Sequence, residues 1–234
     1  MKKAFLLSAV AIAGSVLATD VETANSYGVL PVTTVGTATM VAVPFVGDGA
    51  NISIDQMVKA QNLAAGDMIY ALPTGSDNAY KVWKLNSGRT AWEPVTGVVV
   101  GSGAEAFTPT AASETTIARG QAFWLVRGSS SSTTFYVMGV GQTAAASETT
   151  VSQGWNLVGQ SSATGTKTLA DIATAVGAKG SVRLNNGTRY TYTGSKWYSV
   201  SGNVPTEVAS STALPVGEGF WIVRQASGSA GASL

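Results

Sequence analysis

Short runs rich in Val, Thr, Tyr, Phe and Trp recur along this chain, separated by clusters of Gly, Asn, Ser and Pro. Such runs suit the pleated, half-buried surface of a β-sheet. They predict strands over 28–34, 39–46, 67–72, 80–85, 95–100, 122–127 and 134–140. In the second half they predict strands over 154–159, 181–184, 188–193, 196–200 and 219–223. Asn185-Asn186-Gly187 and Thr193-Gly194-Ser195 read as hairpin turns. The apolar spacing becomes helical at two places: Ile54, Met57 and Val58 form one stripe, and Leu169, Ile172 and Val176 the other. Ser53 with Gln56, and Thr168 with Asp171, have capping-box spacing, and Gly177 is placed to end the second helix.

The two halves repeat. Residues 113–127 end in Gly-Gln-Ala-Phe-Trp-Leu-Val-Arg and residues 210–224 in Gly-Glu-Gly-Phe-Trp-Ile-Val-Arg, displaced by 97. Trp is rare enough that this match marks internal repetition. Met40–Phe45 aligns with Trp155–Gln160 at a displacement of 115, and Trp92 with Trp197 at 105. The shrinking displacement places insertions in the first unit at 72–79 and 97–112, which read as surface loops. The expected fold is all-β: two tandem, internally repeated β-sandwich or barrel-like domains, each with one short helix. Its divisions are a signal segment at 1–18, an extended segment at 19–38, a first β domain at 39–142, a linker at 143–153, and a second β domain at 154–234 ending in a flexible tail.

One asymmetry stands out. The first Phe-Trp strand is followed by another strong strand, whereas the second is followed only by a Gly-Ala-Ser tail. The second unit therefore reads as one strand short beside Trp221, and the extended N-terminal segment as a strand available to fill such a gap.

Composition removes several chemistries. The start, Met1-Lys2-Lys3, then an apolar stretch and Val16-Leu17-Ala18, has the form of an export signal. The chain holds 14 Lys and Arg against 13 Asp and Glu, with 12% charged residues, which gives no electrostatic footprint for nucleic acid. With no Cys and no His, disulfides, Cys/His zinc sites and His-dependent nucleophiles are ruled out. The acidic residues are scattered, and their spacing nominates no carboxylate pair of the kind a glycosidase needs. The expectation is therefore no enzymatic activity, no catalytic residues, no cofactor and no metal, and no transmembrane span beyond the signal. Arg127 and Arg224 end equivalent strands, either as solvated charges or as a repeated inter-strand hydrogen bond.

Gly154-Trp155-Asn156-Leu157-Val158-Gly159, paired with Gly217-Glu218-Gly219-Phe220-Trp221, resembles the Gly-Trp-Asn-Leu repeat of bacterial secreted and surface proteins. Together with Met40-Val-Ala-Val-Pro-Phe45 and the Asn25–Val29 start, the chain is similar to exported bacterial β-repeat proteins of uncharacterised function. The resemblance spans most of 25–224 and implies a fold without an activity; the first unit departs by carrying Val-Ala-Val-Pro where the second has Gly-Trp-Asn-Leu.

The leading expectation is a secreted, non-enzymatic structural protein of the bacterial exterior that self-assembles into a filament or surface array. Strand addition would place Asn25, Tyr27, Val29, Leu30 and Val32 of one copy beside Trp221 and Val223 of the next. The alternative is a carbohydrate-binding or adhesion module that meets cell-surface polysaccharide through Trp83, Trp92, Tyr190, Tyr192 and Trp197. Against it stands the commoner fate of such aromatics, cross-strand packing.

Overall fold

The computed structural model describes residues 26–34, 36–46, 51–58, 62–72, 80–96, 111–141, 150–161, 166–201, 204–225 and 232–233. In chain order the elements of the first half are β1 (Ser26–Thr33), β2 (Ala38–Ala42), β3 (Asn51–Ser53), α1 (Ile54–Met57), β4 (Met68–Ala71), β5 (Lys81–Leu85), β6 (Trp92–Pro94), β7 (Thr116–Ala118), β8 (Ala122–Val126) and β9 (Thr134–Gly141). Those of the second half are β10 (Thr150–Val151), β11 (Gly154–Gly159), α2 (Leu169–Val176), β12 (Ser181–Arg183), β13 (Arg189–Tyr192), β14 (Trp197–Ser201), β15 (Val204–Val208), β16 (Gly219–Arg224) and β17 (Ala232–Ser233).

Both helices start where the capping pattern predicts. The Ser53 hydroxyl accepts from the Gln56 amide and the Gln56 side chain accepts from the Ser53 amide, each at 3.3 Å. The Asp171 carboxylate accepts from the Thr168 amide at 2.7 Å and its hydroxyl at 2.8 Å. These two bonds, the backbone one foremost, hold the Asp171 carboxyl below its ordinary pKa. A depressed folded pKa gives a contribution present above the unfolded value of about 3.9 and lost as the pH falls through the folded pKa. Asp171→Ala is therefore expected to lower the thermal midpoint at pH 7, with the gap from wild type closing toward pH ~3. Melting curves by circular dichroism at the two pH values check this.

Two large antiparallel sheets carry the fold, ordered β2-β8-β4-β5-β6 and β11-β16-β12-β13-β14-β15. The first five positions match one for one, including the interior place of the Phe-Trp strands β8 and β16. Each sheet buries one face. Val41, Ile69, Trp83, Leu85, Phe123 and Leu125 point to a core closed by α1 and by the β1–β9 ladder. Val158, Val182, Trp197, Phe220 and Ile222 point to a second core closed by Leu169, Ile172 and Val176 of α2. Val41 stands opposite Phe123 and Val158 opposite Phe220, so the opening strands correspond at a displacement of 117. The motif alignment gives 115. The two-residue difference leaves every side chain on its face, because strands repeat every second residue.

The structure corrects the picture of a missing strand. β16 lies between β11 and β12, both neighbours hydrogen-bonded to it, so no gap opens beside Trp221 or Val223. The strand that follows β8 never joins β8's sheet: β9 pairs with β1 over eight residues, from Ser26 opposite Gly141 to Thr33 opposite Thr134. The N-terminal segment is thus part of the first unit's own body, with Val32 buried and Leu30 packed on the core. The second unit has a stub of the same arrangement in β10 paired with β17, inside the stretch expected to be linker and tail. The short ladder β3–β7 and the edge strand β15 were not predicted either. Most of the two expected insertion loops, 73–79 and 97–110, and the linker residues 142–149 lie outside the described residues. No described helix is long and apolar enough to cross a membrane.

Candidate functional site: the seam between the two units

The faces of the two sheets turned away from these cores meet near the starts of β8 and β16. Met40, Ala122 and Leu157 are buried there, with Trp124, Trp221 and Tyr80 packed around them. Burial removes water from the Tyr80 hydroxyl and pushes its pKa up to about 12. The backbones touch as well. The Ala42 amide donates to the Gly217 carbonyl at 3.0 Å and the Gly159 amide to the Gly120 carbonyl at 2.9 Å. Val41 bridges to Glu218 and Gln121 to Val158 in antiparallel fashion.

A side chain seals the edge of β2. Asn185, in the turn after β12, accepts from the Met40 amide at 2.6 Å and donates to the Met40 carbonyl at 2.8 Å. Its amide thereby imitates a neighbouring strand, and it also donates to the Glu218 carboxylate at 3.3 Å. Arg119 adds a link from its Nε to the Ser161 carbonyl, and burial lowers its pKa. The Asn185-Asn186-Gly187 motif reads from sequence as a turn; that its first Asn docks on the other unit has no local signal.

At the rim of the seam, Trp155 is 56% exposed, the only exposed tryptophan of the six. It meets Trp221 edge-on, with ring centres 5.5 Å apart, and the Arg183 guanidinium lies 5.1 Å from its ring centre. Trp221 belongs to this cluster and to the seam. The other expected platform dissolves: Trp83, Trp92 and Trp197 are buried in the two cores. Tyr190 and Tyr192 pack against the second core, and the Trp92 indole donates to the Val58 carbonyl at 3.0 Å. The alternation that puts these rings on hairpin strands also turns them inward, so they form no exposed row.

Of the residues expected at a subunit contact, Tyr27 and Val29 are 74% and 57% exposed. Leu30 and Val32 face inward on the same strand, and Asn25 lies outside the described residues. Arg127 and Arg224 follow the hydrogen-bonding option, each reaching the opening segment of its own unit. Arg127 donates to the Thr34 hydroxyl at 3.3 Å and Arg224 to the Val151 carbonyl at 3.2 Å.

The open edges carry a repeated device. The Thr34 amide donates to the Thr133 carbonyl at 2.8 Å, which turns even-numbered residues of β1 toward β9 and Pro31 away from it. The Val95 amide donates to Val82 at 2.9 Å, which turns Pro94 of β6 outward. The Thr193 amide donates to Lys196 at 2.9 Å; following that register across β14 turns Pro205 of β15 outward too. Three edge strands thus present a proline, which has no N–H, to an added strand, a recognised protection against edge pairing.

Among the described residues no group of three or more Asp or Glu side chains is placed to hold a metal ion. Comparison with known protein families, with curated proteins and with solved structures finds no match.

Proposed function

We propose that this protein is an exported, non-enzymatic structural protein of the bacterial cell exterior, and that its copies associate through side-chain faces rather than by exchanging strands. The observation that carries the reading is the outward face of the β1–β9 ladder. Tyr27, Val29 and Pro31 are exposed along it, with Met138 and Tyr136 half-buried opposite Val29 and Pro31. A second apolar spot lies on one face of the β14–β15 hairpin, where Val200 is 41% exposed and its cross-strand partner Pro205 is exposed as well. Contiguous exposed apolar side chains on a β surface support an interaction surface. One patch lies on each unit and the two are unlike, so a contact between them is heterologous and need not close on itself. The edge prolines fit this reading, because they allow sticky faces without ladder growth at the edges.

The expected result is that purified wild-type chain sediments as oligomers, visible as elongated particles by electron microscopy. Val29→Asp, which buries a charge in any such contact, is expected to shift the mass to monomer with the far-ultraviolet spectrum unchanged. Wild type that stays monomeric at high concentration overturns the proposal. If that monomer is retained by purified cell-surface polysaccharide, the adhesion reading takes its place, with exposed Trp155 as its supporting feature.

A further inference from the structure

We infer that the seam is a two-fold interface between unlike versions of one unit, and that Ala–Gly contacts at its centre make it accept a second unit and reject another first unit. The correspondence of the sheets supplies the matching positions. Ala42 and Gly159 match, being the residues opposite Ala122 and Gly219; Val41 matches Val158, Gln121 matches Glu218, and Gly120 matches Gly217.

Among the described residues, the two backbone hydrogen bonds and the two bridges of the seam then form exchanged pairs. Val41 bridges Glu218, and its match Val158 bridges Gln121. Ala42 donates to Gly217, and its match Gly159 donates to Gly120. Exchange of roles is the mark of a two-fold, isologous contact; a head-to-tail arrangement of repeats does not produce it.

At the centre of such a contact, matching residues meet each other. A Cβ placed on Gly159 would lie 2.3 Å from the Ala42 Cβ, and one placed on Gly219 would lie 2.6 Å from the Ala122 Cβ. Carbon atoms need about 3.5–4.0 Å. Two first units would bring Ala42 against Ala42 and Ala122 against Ala122, and both pairs would collide. Two second units would bring Gly against Gly and forfeit the contacts that fill the space. Asn185 adds to the choice: it seals the Met40 edge, and the position matching it across the sheet is Leu72. The seam surface of the first unit is therefore specific for a second unit.

The test uses the full chain and the Ala122–Gly219 pair, where the next atoms a Cβ at position 219 would meet belong to Met40, at 3.1 Å and 3.3 Å. Gly219→Ala alone is expected to lower the unfolding midpoint by about 5 °C. It is also expected to shift tryptophan emission to the red as Trp124 and Trp221 meet water. The reversed pair, Ala122→Gly with Gly219→Ala, is expected to recover at least half of that loss and the wild-type emission. If Gly219→Ala does not accumulate as folded protein, recovery of soluble folded protein by the reversed pair is the readout. Unchanged stability and emission in Gly219→Ala, or a reversed pair no better than the single variant, overturns the inference.

Discussion

Replacing Arg127 with Met is expected to destabilise the fold by about 3–5 kcal/mol, while Arg224→Met is expected to stay below about 1.5 kcal/mol. The two arginines end equivalent strands, yet their surroundings differ. Arg127 lies opposite Asp67, which is 1% exposed; its Nε donates to that carboxylate at 3.3 Å. The same carboxylate accepts from the amides of Ala64 at 2.9 Å and Gly128 at 3.3 Å. Arg127 also donates to the Ser131 carbonyl at 2.6 Å, tying the turn between β8 and β9. Removing the guanidinium leaves a buried carboxylate without its counter-charge, which is the costly way to break such a pair. In the second unit Gly180 stands at the ladder position opposite Arg224, so the residue in Asp67's place carries no charge to strand. Urea unfolding of both variants checks the contrast. Adding Asp67→Asn to Arg127→Met is expected to restore part of the loss, because the orphaned charge disappears. Equal effects at 127 and 224 would show that the ion pair does not dominate the first unit.

How much of this was legible follows from the range of each interaction. Both helices were, because Ser53–Gln56 and Thr168–Asp171 are contacts three residues apart. So were most strands, since composition reports a half-buried pleat. β15 was hidden by Pro205, which reads as a breaker unless one knows that its missing N–H faces open space. The supposed missing strand comes from taking the strand after Phe-Trp as its neighbour; β9 instead crosses to β1, where Tyr27 pairs with Val140, 113 positions away in sequence.

 Nothing local in the sequence reports a pairing of that reach. The seam was hidden for the same reason. Gly-x-Gly-Phe-Trp is visible as a motif, but the need for Gly219 appears only when Ala122 is brought against it.

Trp83→Ala and Trp197→Ala are each expected to cost about 3–5 kcal/mol, a fall in unfolding midpoint on the order of 10 °C for a chain of this size. Trp83 is fully buried in the first core, and Trp197 is 2% exposed in the second. Trp197 also packs on Tyr192 with ring centres 4.8 Å apart and the planes 31° from parallel, so truncation strips that ring as well. Neither cavity can refill easily, because the neighbours are strand residues pinned by their ladders on both sides of β5 and β14. Trp155→Ala is the control: it removes a ring of the same size, but from the surface, where the loss of the Trp221 and Arg183 contacts is expected to cost about 1 kcal/mol or less. Thermal unfolding of the three variants separates a core role from a surface one. A ligand platform on the hairpins requires the opposite order, with Trp83→Ala and Trp197→Ala as stable as wild type. Large losses at 83 and 197 beside a small one at 155 would mean that the hairpin aromatics hold the two units rigid, leaving Trp155 as the tryptophan available to a partner.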